Sequence, residues 1–324
     1  MTRTLLLAVF LASGVATAQP ATETEERAAV VRALLRSLTP DQRGRAALDY
    51  GDPDRRRWSR KPGERVGVAV SDLDPGQRAA LHRVLRSMLS PQGYLRASAI
   101  MLGEEVAAAQ EVELGGETAL GPERYWVAVY GEPGTGPWSW RLEGHHLSLR
   151  VAFDGDRPVS VTPSAWGEYP APFATGTRSG FDPLAPEDAA ARRLARALSG
   201  VGEPLSERPN GLVTEADPFR VPTGGHAVAE MPRPVQALAL ALATSVASDY
   251  QPDLAAAALP AGAADSMRFA WVGDPATERP FYWRLVGAGQ VIESWRFTDD
   301  YSGRAFGHVH RVWRDVEGDF GGTE

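Results

Sequence analysis

The chain of 324 residues contains no cysteine. That absence removes disulfides, thiol nucleophiles and every zinc or iron–sulfur site built on sulfur, so any metal must be held by His, Asp or Glu. Histidine is also scarce, six in all. A basic tract is missing, and a formal charge of −7 makes the chain a poor partner for nucleic acid or an anionic membrane. There is no G-x-S-x-G elbow, no H-E-x-x-H, no H-x-H-x-D-H and no Gly-rich phosphate loop. Neither an internal repeat nor a heptad is visible, and no apolar run after the N-terminus reaches transmembrane length.

The residues that are present describe a soluble globular protein, with 43% hydrophobic and 23% charged residues. The first residues, Met1-Thr-Arg3, lead into an apolar stretch over 4–15 and then Ala16-Thr17-Ala18. A basic start, a short apolar core and an A-x-A site predict a signal peptide over 1–18, cut before Gln19, and hence a periplasmic or secreted location. The apolar stretch is too short for a membrane anchor.

Thr39-Pro40, Asp74-Pro75 and Ser90-Pro91 each place a capping residue ahead of a proline at the first helical position. This spacing predicts helices over 24–37, 40–48, 75–89 and 91–112. His82 falls off the apolar stripe Ala80, Leu81, Val84, Leu85 and Met88, and reads as a solvated residue. Further helices are expected over 186–199 and 232–249. The stretch 200–230 has no period and reads as a long loop that includes His226.

The remainder is β-rich, divided by Gly and Pro turns. Without βα alternation, a doubly wound parallel sheet fits poorly, and the expected class is α+β with a largely antiparallel sheet. The chain divides into three parts: the signal peptide over 1–18, an N-terminal helical segment over 19–49, and a single α+β domain over 50–324. Oligomeric state is left open.

Four of the six histidines fall in two clusters, "WSWRLEGHHLSLR" and "GHVHRVWRD". In the first, large apolar residues are even-numbered before Gly144 (Trp138, Trp140, Leu142) and odd-numbered after it (Leu147, Leu149). A strict strand cannot change its buried face in mid-run, so a β-bulge near Gly144 is expected. In the second, His308 and His310 share a strand face and can offer two imidazoles to one ion. Glu293 alternates with Val291, Trp295 and Phe297, a carboxylate on an apolar face that needs a partner. His145, His146, Glu293, His308 and His310 are therefore the candidate metal ligands. Nitrogen and oxygen donors of this kind suit zinc, copper, iron or manganese. Glu143, Arg141, Arg314, Asp315 and Asp319 are able to orient ligands or bind an anion, but as strand-end charges they read as solvated surface. Glu143, Arg314 and Asp315 are retained as candidate catalytic groups. Most tryptophans read as core, with one or two available to line a pocket.

Several of these runs resemble a bacterial family catalogued as domain of unknown function 3500. The likeness covers about residues 50–320 and is carried by "RRRWSRKPGERVGVAVSDLDPGQRAALHRVLRSMLSPQGYLRASAIMLGEE", "ERYWVAVYGEPGTGPWSWRLEGHHLSL", "FAWVGDPATERPFYWRL", "VIESW" and above all "GHVHRVWRDVEGDFG". It implies no activity or cofactor. It does mark Glu143, His145, His146, Glu293, His308, His310, Arg314, Asp315 and Asp319. The chain departs from the family pattern at Arg150, at Gly307, over Ser294–Arg296 and around Glu168. The expected function is a metal-dependent hydrolase or oxidoreductase acting on a small molecule. The alternative is a protein that binds a metal or small ligand without turnover.

Overall fold

The computed structural model describes residues 23–113, 118–173, 179–198, 205, 212, 219–277, 280–301 and 304–322. The expected signal peptide, and most of the expected loop over 200–230, lie outside these residues. Among the described residues are seven α-helices: α1 (Glu23–Ser37), α2 (Pro40–Ala46), α3 (Pro75–Met88), α4 (Pro91–Glu113), α5 (Ala185–Leu198), α6 (Arg233–Ala247) and α7 (Pro252–Ala258). Each matches a predicted or alanine-rich segment. Thr39 and Asp74 are the caps as expected, each completed to a capping box by Gln42 and Gln77, and these two glutamines hydrogen-bond each other in the interior. Each cap stabilises its helix by about 1 kcal/mol. None of the described helices is long and apolar enough to cross a membrane.

The strands are β1 (Ala47–Leu48), β2 (Val68–Ala69), β3 (Trp126–Tyr130), β4 (Pro137–Glu143), β5 (Leu147–Asp154) and β6 (Arg157–Ser160). They continue as β7 (Ser164–Glu168), β8 (His226–Ala227), β9 (Arg268–Val272), β10 (Phe281–Gly287), β11 (Gln290–Tyr301) and β12 (Arg304–Asp315). All join one sheet of order β1-β3-β4-β5-β7-β12-β11-β10-β9-β8, with β2 beside β3 and β6 beside β5. Among the described strands only β1 and β3 pair in parallel, so the fold is α+β with a mixed, mostly antiparallel sheet.

The stretch across Gly144 is a hairpin, not a bulged strand: Gly144, His145 and His146 turn the chain from β4 to β5. Leu142 pairs with Leu149 and Trp140 with Val151, so one face is even-numbered on the outgoing strand and odd-numbered on the return. A reversal of direction switches parity as effectively as an extra residue. The described part of the helical segment, from Glu23, packs on the core of the sheet. Ala28, Val31 and Leu34 of α1 join the same core as Val84 of α3 and Trp140 of β4, and β1 pairs with β3. His226, expected in a loop, lies on β8 beside β9, and His82 is half-buried against the Tyr94 hydroxyl.

One face of the sheet is apolar. Trp138, Trp140, Leu149, Trp166, Trp283, Ile292 and Trp313 meet Val84, Ile100, Leu194 and Leu242 of the helices in a continuous core. Within it, Arg96 of α4 pairs with Asp249 at 2.5 Å and Glu187 at 2.8 Å, and Arg311 of β12 pairs with the same Asp249 at 2.5 Å. Two guanidiniums and two carboxylates thus neutralise one another where helices meet the central strand. The register places Arg141, Glu143, Ser148, Arg150, His310, Glu293 and Tyr282 on the opposite face. An irregular segment over 50–66 covers that face, and its backbone carbonyls at Asp54, Arg55, Arg57 and Val66 accept from Arg141 and Arg150.

Candidate functional site

The site forms where the β4–β5 turn, β7 and β12 meet. Gly167 of β7 pairs with His310, and its N–H donates to the His146 carbonyl at 2.7 Å. A side chain at position 167 would meet His310 Cδ2 at 2.9 Å and His146 Cδ2 at 3.0 Å. Glycine therefore opens the gap through which imidazoles from the β4–β5 turn and β12 reach each other across β7. His308 is two residues before His310 on the same strand face, so three rings converge.

His146 Nε2 lies 3.1 Å from His308 Nε2, and His310 Nε2 lies 2.7 Å from the same atom. His146 and His310 are buried and His308 is nearly so. Burial, together with the neighbouring cations, lowers the pKa of all three, that of His308 to about 2, so the rings are neutral near pH 7. Behind His146 stands Glu104 of α4, whose Oε1 accepts from His146 Nδ1 at 2.6 Å. Burial alone would raise the Glu104 pKa, but the His146 and His145 imidazoles reverse this and hold it at about 2. An ionised Glu104 is an acceptor only, which puts the His146 proton on Nδ1 and its lone pair on Nε2.

Glu104 is a site residue that the sequence patterns did not single out, although a signal exists. It sits in register with the buried stripe Ala97, Ile100 and Ala107 of α4, a carboxylate on an apolar face. The family departure at Glu168 lies beside it. Glu168 is fully buried, and burial with the nearby Glu104 charge pushes its carboxyl well above the usual carboxylate range.

On the other side, Arg60 Nη1 donates to His310 Nδ1. Arg60 belongs to the strip Trp58–Pro62, which with His145 and His310 lines a cavity of about 300 Å³. The strip falls within a run that resembles the family, but none of its residues was singled out as a site residue. Among the described residues two groups could hold an ion: His146, His308 and His310 as one set, and Glu104, His145 and His146 as another. His145 stacks on His146 with ring centroids 3.8 Å apart. Its Nδ1 is 3.4 Å from Glu104 Oε1, outside hydrogen-bond alignment.

The other sequence candidates lie elsewhere. Glu293 belongs to neither group and accepts from the Tyr282 hydroxyl at 2.6 Å. Glu143, offered as a catalytic group, is buried and takes Arg65 at 2.9 Å, Arg150 at 3.3 Å and the Ser148 hydroxyl at 2.8 Å. Those partners leave it a clamp on the covering segment. Arg314 pairs with Asp319 and lies over the Trp58 and Phe219 rings, and Asp315 caps the turn through Gly318 N–H at 2.7 Å. Arg314 is four residues along β12 from His310, about 13 Å away at strand spacing. Arg141, Glu143 and Arg314 are thus buried, not solvated as their strand-end positions suggest, because the 50–66 segment lies over them. The departure at Gly307 has a steric reason: a Cβ there would meet the Ala171 carbonyl oxygen at 1.9 Å.

Fold and site together define an α+β protein with a candidate metal centre of three histidines backed by a carboxylate. The chain belongs to the family described as protein of unknown function (DUF3500), whose model matches residues 20–322. No curated protein and no solved structure matches it.

Proposed function

We propose that this is an exported, metal-dependent enzyme that holds one ion through Nε2 of His146, His308 and His310. One observation carries the reading: the 3.1 Å approach of His146 Nε2 to His308 Nε2. Glu104 leaves His146 Nε2 with its lone pair. Arg60 donates to His310 Nδ1, so His310 carries its proton on Nε2 and donates it to His308. His308 Nε2 is then an acceptor as well, and two lone pairs face each other in a buried space. A cation between the rings resolves that conflict. Tetrahedral ligands on zinc stand about 3.4 Å apart, so small outward ring rotations suffice.

Three imidazoles are the protein ligand count of a catalytic rather than a structural zinc site, and one of them, His310, lines the adjacent cavity. A bound ion supplies Lewis acidity, and His145 on the cavity wall is positioned to move a proton. Zinc or manganese would favour hydrolysis, and copper or iron an oxidative reaction. A second reading, binding without turnover, is favoured by the cavity wall, which includes no carboxylate to serve as a base.

Elemental analysis of the purified mature protein is the test. About one equivalent of a transition metal is expected in the native chain, and its loss in the His308→Ala, His310→Ala double variant. A metal-free native protein whose zinc affinity equals that of the double variant would end the proposal.

A further inference from the structure

The chain has one lysine among its 34 basic residues, and that lysine is Lys61, on the wall of the cavity beside the three histidines. Arg60 is its neighbour. Trp58, half-buried against Ala165 and Val312, gives the same wall an aromatic surface. No carboxylate lines the cavity, and Lys61 has no ion-pair partner among the described residues. Glu143 accepts from the Ser59 N–H at 3.3 Å but is matched by Arg65 and Arg150, and Glu104 is engaged by His146.

We propose that the ligand of this cavity is a small oxyanion, a molecule bearing a carboxylate or phosphate group, gripped by Arg60 and Lys61 with its body against Trp58. The inference rests on the proposed metal site and adds the substrate class. Charge is the first reason. A divalent ion, Arg60 and Lys61 gathered around one carboxylate leave an excess of positive charge in a partly desolvated space, which an anion neutralises.

The second reason is how Arg60 is held. A guanidinium is a donor only, so its bond to His310 Nδ1 requires a lone pair there. When His310 Nε2 turns a lone pair to an ion, Nδ1 takes the proton and no longer accepts. Arg60 then loses that one acceptor while its cationic charge stays on the cavity wall, where an entering anion replaces it. Metal and anion should therefore strengthen each other's binding. The strip itself is kept in place, because Arg65, anchored on Glu143, donates to the Lys61 carbonyl at 2.5 Å and the Ser59 carbonyl at 3.1 Å. At about 300 Å³ the cavity admits only a small molecule.

The experiment is calorimetric titration of the full mature chain with inorganic phosphate and, separately, acetate, in the zinc-loaded and zinc-free forms. At least one anion should bind the zinc-loaded protein, and the stronger of the two tells phosphate from carboxylate. Arg60→Gln should weaken binding about 10–100-fold and Lys61→Ala about 2–5-fold, with circular dichroism confirming that both variants fold. Saturating anion should raise zinc affinity by the same factor that zinc raises anion affinity. If zinc binds but neither anion does, or if both variants match the native protein, the inference is wrong and the metal reading stands. If zinc does not bind, the metal reading fails. The zinc-free titration then decides the cavity alone: anion binding lost in Arg60→Gln keeps it, and no binding ends it.

Discussion

The two faces of the central sheet are both buried, yet they are built from opposite chemistry. Under the helices lie Trp138, Trp140, Trp166, Trp283 and Trp313, all essentially inaccessible. Under the 50–66 segment lie Arg141, Glu143, Arg150 and His310, nearly as inaccessible. The difference lies in what covers them. A helix satisfies its own backbone and offers only side chains, so the facing strands must be apolar. An irregular segment has carbonyls and N–H groups to satisfy, and a polar sheet face can satisfy them. Arg141 and Arg150 do so through the carbonyls at Asp54, Arg55, Arg57 and Val66. Such a face can then hold imidazoles and carboxylates in fixed positions, which a metal centre requires.

The sharpest way to break this comparison is to empty each face in turn. Trp140→Ala should destabilise the protein by about 3–5 kcal/mol through the cavity it leaves, without changing zinc stoichiometry. Glu143→Ala should have a similar effect, about 3–5 kcal/mol, because Arg65 and Arg150 lose their shared carboxylate while still buried. Only the second should also raise hydrogen exchange over 59–65, since the clamp on that strip is gone. Urea denaturation checks both. A loss below about 1 kcal/mol in Glu143→Ala would show that the polar face is solvated.

Acid should separate the faces next. His146, His308 and His310 have folded-state pKa values below the ordinary 6.5, lowered by burial. In the unfolded chain they regain ordinary values and bind protons first, so the unfolded state carries more protons below about pH 6.5. Stability of the metal-free protein should therefore fall as pH drops from 6.5 towards the lowered values, about 2 for His308. Each imidazole contributes a slope of up to about 1.4 kcal/mol per pH unit. Denaturation midpoints of the native chain and the His308→Ala, His310→Ala variant, measured from about pH 7.5 to 5, should diverge, with the variant showing the flatter profile. Parallel profiles would mean that the rings are not held neutral.

The apolar face was the more legible of the two. Thr39-Pro40 and Asp74-Pro75 mark helix starts by local rules, and alternating tryptophans mark strands, because each depends on near neighbours in sequence. The same parity rule misled at Gly144, since it registers a change of face without saying whether the chain bulged or reversed. On the polar face, Glu293 was recognisable as a buried carboxylate, but its partner Tyr282 sits on another strand and no spacing selects it. Glu104 was legible in principle, as an acid within an apolar helical stripe. Trp58, Arg60 and Lys61 lie in a run that resembles the family, but no spacing marks them as a site, because an irregular segment has no period and its place is set only when Arg65 meets Glu143 across the fold. Glu143 thus proves to be a positioning residue for the cavity wall.

The finest test acts at the one point where the site touches both faces, the strand β7. Gly167→Ala adds a single methyl group at a residue whose φ is not among the positive ones, so backbone strain is not at issue. The new Cβ would lie 2.9 Å from His310 Cδ2, 3.0 Å from His146 Cδ2 and 3.1 Å from the Val309 carbonyl. Ring atoms can yield by rotating, and the strand carbonyl cannot. The protein should fold, destabilised by about 1–3 kcal/mol as for other overpacked sites, while the two imidazoles are pushed apart. Zinc affinity should then fall by roughly tenfold or more, because ring placement and not ligand chemistry is what changes. The same stability loss with zinc affinity unchanged would show that His146 and His310 do not share an ion, and would leave the Glu104, His145 and His146 set as the candidate centre.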